Sequence, residues 1–205
     1  HGGLQNPAAQ CDAPRVAARR QLVYNITSFL QKNRRGEEMS ETNGNDAVLE
    51  LYRTTVRNML ANDKPSLVSN ASYRHASIIT EELIRSAKQS FLAYSGKMSC
   101  DVWTAEVMEQ LRLAILRGVD VHIVLTDAIE IPPFLNGRVH VLCLDKLGTY
   151  RKAYESILHF AVVDGKNLRM ERDPVTREAV FAANSPNFAV ELEKIFYLLR
   201  DAAAA

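Results

Sequence analysis

The 205-residue sequence predicts an α/β sandwich, with a mostly parallel central β-sheet, helices on both faces and an N-terminal helical extension. Three observations point there. Segments with apolar residues at helical spacing alternate with short, almost wholly apolar runs. Those runs, residues 119–127 above all, lack the polar alternation of a sheet with one wet face, as a strand covered on both sides requires. The breakers Arg117-Gly118, Pro132-Pro133 and Asn136-Gly137 fall between the segments and not within them.

The elements follow in chain order. Residues 1–14 mix glycine, proline, alanine and polar side chains and predict a disordered start. Residues 15–35 read as a basic amphipathic helix. Its apolar face is Leu22, Val23, Ile26, Phe29 and Leu30, with Arg15, Arg19 and Arg20 before it and Lys32, Arg34 and Arg35 at its end. Polar breakers at 36–38 and 41–45 separate it from a second helix at 47–60, capped by Asp46. This divides the chain into a basic extension at 1–38, a helical linker at 39–69 and a folded domain at 70–205.

Within that domain, a helix at 81–90 leads into a short strand at 91–95. The next helix, 104–116, ends before Gly118, where a C-terminal cap is wanted. Strands are predicted at 119–127, 139–144 and 157–163, the last closed by Asp164-Gly165. A late strand at 177–183 precedes a final helix at 186–199, whose apolar stripe is Phe188, Leu192, Ile195, Phe196 and Leu199.

Composition narrows the function classes. With 47% hydrophobic and 24% charged residues the chain is an ordinary globular protein, and no apolar run is long enough to span a bilayer or form a secretory core. A cytoplasmic location is expected. Cys11, Cys100 and Cys143 are odd in number and widely spaced, which predicts reduced thiols. His75, His122, His140 and His159 show no metal-ligand spacing either, so neither a metal nor a cofactor is expected. The net charge is +1, yet residues 1–38 carry six basic and three acidic side chains, so the positive surplus sits in the extension.

One segment carries a resemblance. Ile157-Leu158-His159-Phe160-Ala161-Val162-Val163-Asp164-Gly165-Lys166 resembles the HxKxxxxD signature strand of the phospholipase D superfamily. In the preferred register Ile157 replaces the histidine, His159 replaces the lysine and Asp164 is retained. A second register sets His159 in the nucleophile's place, Ala161 in the lysine's and Lys166 in the aspartate's. The resemblance implies a histidine that attacks phosphorus, a second copy that acts as general acid, and lysines that hold the phosphate oxygens. An isoleucine can do none of these. Where the family carries Gly-Ser-x-x-Asn, this chain has Met170-Glu171-Arg172-Asp173-Pro174, and an acidic residue there opposes phosphate.

The order of elements over about residues 70–200 is similar to one nuclease-like half of a phospholipase D-like sandwich. Many single-motif members of that superfamily act on or bind nucleic acid as symmetric dimers, so the resemblance implies a homodimer. Its composite cleft would hold two His159 and two Asp164, with Ile157 filling the lost nucleophile's space.

The expected function is a catalytically degenerate domain, a pseudoenzyme that binds DNA or RNA or serves as a regulatory interaction protein. His159 and Asp164 are then vestigial catalytic residues, and Arg15, Arg19, Arg20, Lys32, Arg34, Arg35, Lys166 and Arg169 are the candidate nucleic-acid contacts. One alternative is a weak metal-independent phosphodiesterase using His159 across the dimer interface. Another is a structural subunit that recruits a protein partner through its N-terminal helices.

Overall fold

The computed structural model describes residues 46–62, 64–70, 72–173, 175–176 and 178–204. The helix predicted at 15–35, with Arg15, Arg19, Arg20, Lys32, Arg34 and Arg35, lies outside the described residues.

The described chain begins with α1 (Asp46–Ala61), β1 (Ser66–Asn70), α2 (Tyr73–Ser86), β2 (Ser90–Ser95), α3 (Ala105–Leu116) and β3 (Asp120–Leu125). It continues through β4 (Val139–Val141), α4 (Arg151–Glu155), β5 (Phe160–Val163), β6 (Asn167–Asp173), β7 (Glu178–Ala183) and α5 (Pro186–Ala203). Side chains set the helix starts. The Ser72 hydroxyl accepts from the Arg74 N–H at 3.2 Å, which lets α2 begin at Tyr73, well before the predicted 81. Thr104 caps α3 in the same way through the Val107 N–H at 3.4 Å, and Gly118, at φ +85°, releases the chain after it.

The seven strands form one sheet in the order β1-β7-β6-β5-β2-β3-β4. β2–β3 and β3–β4 are parallel, whereas β1–β7, β7–β6, β6–β5 and β5–β2 are antiparallel. The expectation of a mostly parallel sheet is therefore corrected: the sheet is mixed, and most of its pairings are antiparallel. The β5–β6 pairing follows from the turn at Asp164-Gly165. Both residues have positive φ, +51° and +61°, and the Lys166 N–H donates to the Val163 carbonyl at 3.1 Å. That is a primed hairpin turn, whose twist matches two adjacent antiparallel strands. It folds β6 directly back along β5, with Ala161 facing Arg169 and Val163 facing Asn167.

Alternation then sorts the two faces. Phe91, Ala93, Val121, Ile123, Ala161, Val163 and Phe181 share a core with α1, α2 and α3. The intervening Leu92, Val124, Val162, Leu168 and Val180 are also buried, and α5 packs against β2, β3, β5 and β6. Helices thus cover both faces. No helix among the described residues is long and apolar enough to cross a membrane.

An ion network joins α1 to α2. Glu82, 2% exposed, receives Arg57 in a bidentate pair at 2.8 and 2.9 Å and Arg53 at 3.0 Å; Arg85 lies 3.4 Å away. Arg53 also binds Glu81. A carboxylate this deeply buried is tolerated only with such partners, and removing it strands the arginines. Glu82→Ala is expected to lower stability by about 2 kcal/mol, at the modest end for a buried pair because Arg57 and Arg85 reach water. Urea unfolding measures this, and a loss below about 0.5 kcal/mol would show that the network does not hold α1 in place.

Candidate functional site

The sequence pattern concentrates chemistry at the end of β5, and a cavity of about 410 Å³ opens there. His159, immediately before β5, stands on its wall with Gly96, Lys97, Trp103, Arg169 and Glu171. The hairpin register explains the grouping. Phe160 faces Met170 and Ala161 faces Arg169, so His159 comes beside Glu171 on the neighbouring strand.

His159 is held at both nitrogens. Its Nε2 accepts the Gly96 N–H at 2.9 Å, and its Nδ1 lies 3.0 Å from the Glu171 carboxylate. A backbone N–H can only donate, so Nε2 is the lone-pair nitrogen and the proton sits on Nδ1, directed at Glu171. The Tyr94 ring meets the imidazole edge to face at 5.9 Å. A Cβ at Gly96 would lie 3.4 Å from Nε2, in close contact with the imidazole. Burial pushes the Glu171 carboxyl up, but the His159 hydrogen bond and the charge of Arg169 outweigh it and hold the group below its ordinary range.

Arg169 is the unusual group. It stands between Ala161 and Phe181 in the sheet, and Ala161 in turn faces Ala93. Two alanines in one cross-strand row leave room for a guanidinium over the sheet. The Arg169 Nε is buried and has no hydrogen-bond partner among the described residues. Burial pulls its pKa below the ordinary guanidinium value, against the opposing charge of Glu171. A buried donor in this condition is costly, and an anionic oxygen would satisfy it.

The remaining candidates are placed elsewhere. Asp164 sits at the far end of β5 from His159, and its carboxylate accepts from the backbone N–H groups of Lys88 (3.0 Å), Gln89 (2.8 Å) and Ser90 (3.0 Å). Lys166 lies beside it, in a separate groove. The structure therefore brings together His159 and Arg169, and separately Asp164 and Lys166; a single cleft holding His159 and Asp164 is not formed within this chain. Ile157 is not on β5 either. Its N–H donates to the Tyr154 carbonyl at 3.1 Å in the turn after α4, so it shares no strand face with His159.

Sequence reasoning missed Gly96 and read Glu171 only as an obstacle to phosphate; in the structure its carboxylate also receives the His159 Nδ1 proton. Asp-Gly between apolar runs was the available signal, because a tight hairpin there sets 171 beside 159 and 169 beside 161. His122 Nδ1 and His140 Nε2 lie 3.3 Å apart across β3 and β4, a packed pair. No group of three or more ligating side chains among the described residues could hold a metal, and Cys100 and Cys143 are free and exposed.

No family model matches the sequence, and no curated protein matches it. Solved structures do align at low identity. Nuc, a phospholipase D family member from Salmonella typhimurium, is 17% identical with a TM-score of 0.44, over 67% of this chain and 95% of that one. NucT from Helicobacter pylori is 14% identical with a TM-score of 0.47, over 68% and 96%. TrmBL2, an archaeal chromatin protein described with a novel mode of DNA binding, is 14% identical with a TM-score of 0.44, over 87% of this chain and 64% of that one. This chain thus spans less than two thirds of TrmBL2.

Two outcomes follow from the geometry. Asp164→Ala leaves three backbone donors without their acceptor, so it should cost about 2–3 kcal/mol in urea unfolding. It should leave the nitrogen-15 shifts of His159 in place, since the two groups occupy opposite ends of β5. For Glu171 the folded carboxyl lies below its ordinary 4.5, so its stabilising contribution is complete above pH 4.5 and is lost as pH falls through the folded value. Glu171→Gln should flatten that acid limb of the stability profile; an unchanged limb would show that the His159 pair contributes nothing.

Proposed function

We propose that the chain is a phospholipase D-like domain that binds nucleic-acid phosphate in the His159–Arg169 cavity, assembles as a dimer, and does not turn its ligand over efficiently. One observation carries this reading: a buried arginine donor with no partner lines a cavity beside an oriented imidazole. A phosphodiester oxygen is the acceptor that Arg169 lacks. The second register of the motif gains weight from this, because Arg169 faces Ala161, the residue in the lysine's place, and supplies a cation from the neighbouring strand. Inefficient turnover follows from Nε2. An attacking histidine needs that lone pair, and here the Gly96 N–H occupies it.

A slow metal-independent phosphodiesterase is the second reading, and the bond between Nδ1 and Glu171 favours it. A carboxylate on Nδ1 fixes the tautomer that leaves Nε2 basic, the same division of labour as in other histidine-dependent sites. In either reading a second copy would bring another His159 across a two-fold axis, and the arginines of the extension would add contacts that do not depend on sequence.

Labelled single- and double-stranded DNA and RNA, incubated with the full chain in chelator and resolved on native and denaturing gels, separate these readings. The expected result is a salt-sensitive shift without cleavage, weakened about tenfold in Arg169→Met. Cleavage that disappears in His159→Ala would establish the phosphodiesterase instead. No shift and no cleavage would overturn both and leave capture of a protein partner by the N-terminal segment as the function to test.

A further inference from the structure

A second cavity, about 500 Å³, opens at the end of β5 remote from His159, where α1, the last turn of α2 and the β5–β6 turn meet. No residue lines both cavities. Its cationic side chains are Arg57, Arg85, Lys88, Arg117 and Lys166, against Glu82 and Asp164. Glu82 pairs Arg57 and Glu81 pairs Arg85, so Lys88, Arg117 and Lys166 are the cations here that no carboxylate pairs among the described residues, in a chain whose formal charge is only +1.

Both carboxylates are already engaged. Glu82 is bound by Arg57 and Arg53, and Asp164 by three backbone N–H groups. Because backbone dipoles satisfy Asp164, the ammonium groups of Lys88 and Lys166 make no hydrogen bond or ion pair among the described residues. The carbonyl end of α2 would repel an anion, but it is covered: Arg117 donates to the Ile84 and Arg85 carbonyls at 3.1 and 3.4 Å, and the Ala87 N–H donates to Leu83 and Ile84. Half a charge at a covered helix end does not offset these three cations.

We infer that this groove is a second phosphate contact for a nucleic-acid strand, separate from the His159 cavity; the inference rests on the nucleic-acid reading above. The arrangement fits a run of phosphates better than one small anion. Lys88, Arg117 and Lys166 come from three different connections of the fold and are all exposed, so each can meet a separate phosphate. Binding of this kind proceeds by releasing counterions, and each lysine engaged adds its own increment to the salt dependence.

The test is the salt dependence of binding a labelled duplex to the full chain, compared among wild type, Lys88→Gln/Lys166→Gln and Arg169→Met. Matching thermal melts confirm that each variant is folded. The double variant is expected to reduce the slope of log affinity against log salt by about two and to weaken binding at low salt. An unchanged slope and affinity in the double variant, with Arg169→Met weakened, would overturn the groove and leave the cavity reading standing. Loss in the double variant with Arg169→Met unaffected would support the groove and overturn the cavity. Absence of duplex binding by the wild type would overturn both.

Discussion

The carboxylate of Asp164, gripped by three consecutive backbone N–H groups at the entry to β2, fixes where β5 can lie. Hydrogen bonds to an ionised acceptor are each worth about 1.5–3 kcal/mol, enough to decide between competing strand arrangements. The same residue, with Gly165, makes the primed turn that sends β6 back along β5. One side chain therefore pins β5 to β2 while its backbone delivers the next strand. Everything at the opposite end, including the register that sets Glu171 beside His159, inherits its position from that anchor.

The two ends of β5 consequently differ in character. Around His159 the polar groups are partly buried, with an imidazole proton directed at a carboxylate and an arginine whose Nε has no partner among the described residues. Around Asp164 the negative charge is absorbed by the backbone and the surrounding ammonium groups stay in water. A short strand of four residues thus separates a site suited to selecting a ligand's geometry from one suited to attracting charge.

Much of the scaffold could be read from the residues alone. α3, β3, β7 and α5 declared themselves through helical spacing, continuous apolar runs and the cap residue Gly118. β6 did not, because only Leu168 and Met170 on one of its faces are apolar while Arg169 and Glu171 on the other serve the cavity. A strand that carries a site on one face loses part of the alternation that would identify it. The parallel expectation failed for a related reason: buried strands in antiparallel and parallel sheets are equally apolar, and only the connection between them tells them apart. The bond from Gly96 to His159 was beyond any reading of composition, since it joins a backbone group to a side chain 63 positions later.

The sheet is closed on one side by the pairing of Ser66 with Ala183 and Asn70 with Ala179. Among the described strands, a ribosome makes β1 first and makes its partner β7 last of all. Throughout that interval β1 lacks its β7 neighbour, and its amides are left to water or to a chaperone. Closing so long a loop is entropically slow, which places the completion of this sheet late on the folding path. The region carrying α1 and β1 is therefore the part of the described fold most exposed to proteases and to wrong pairings while the chain is young.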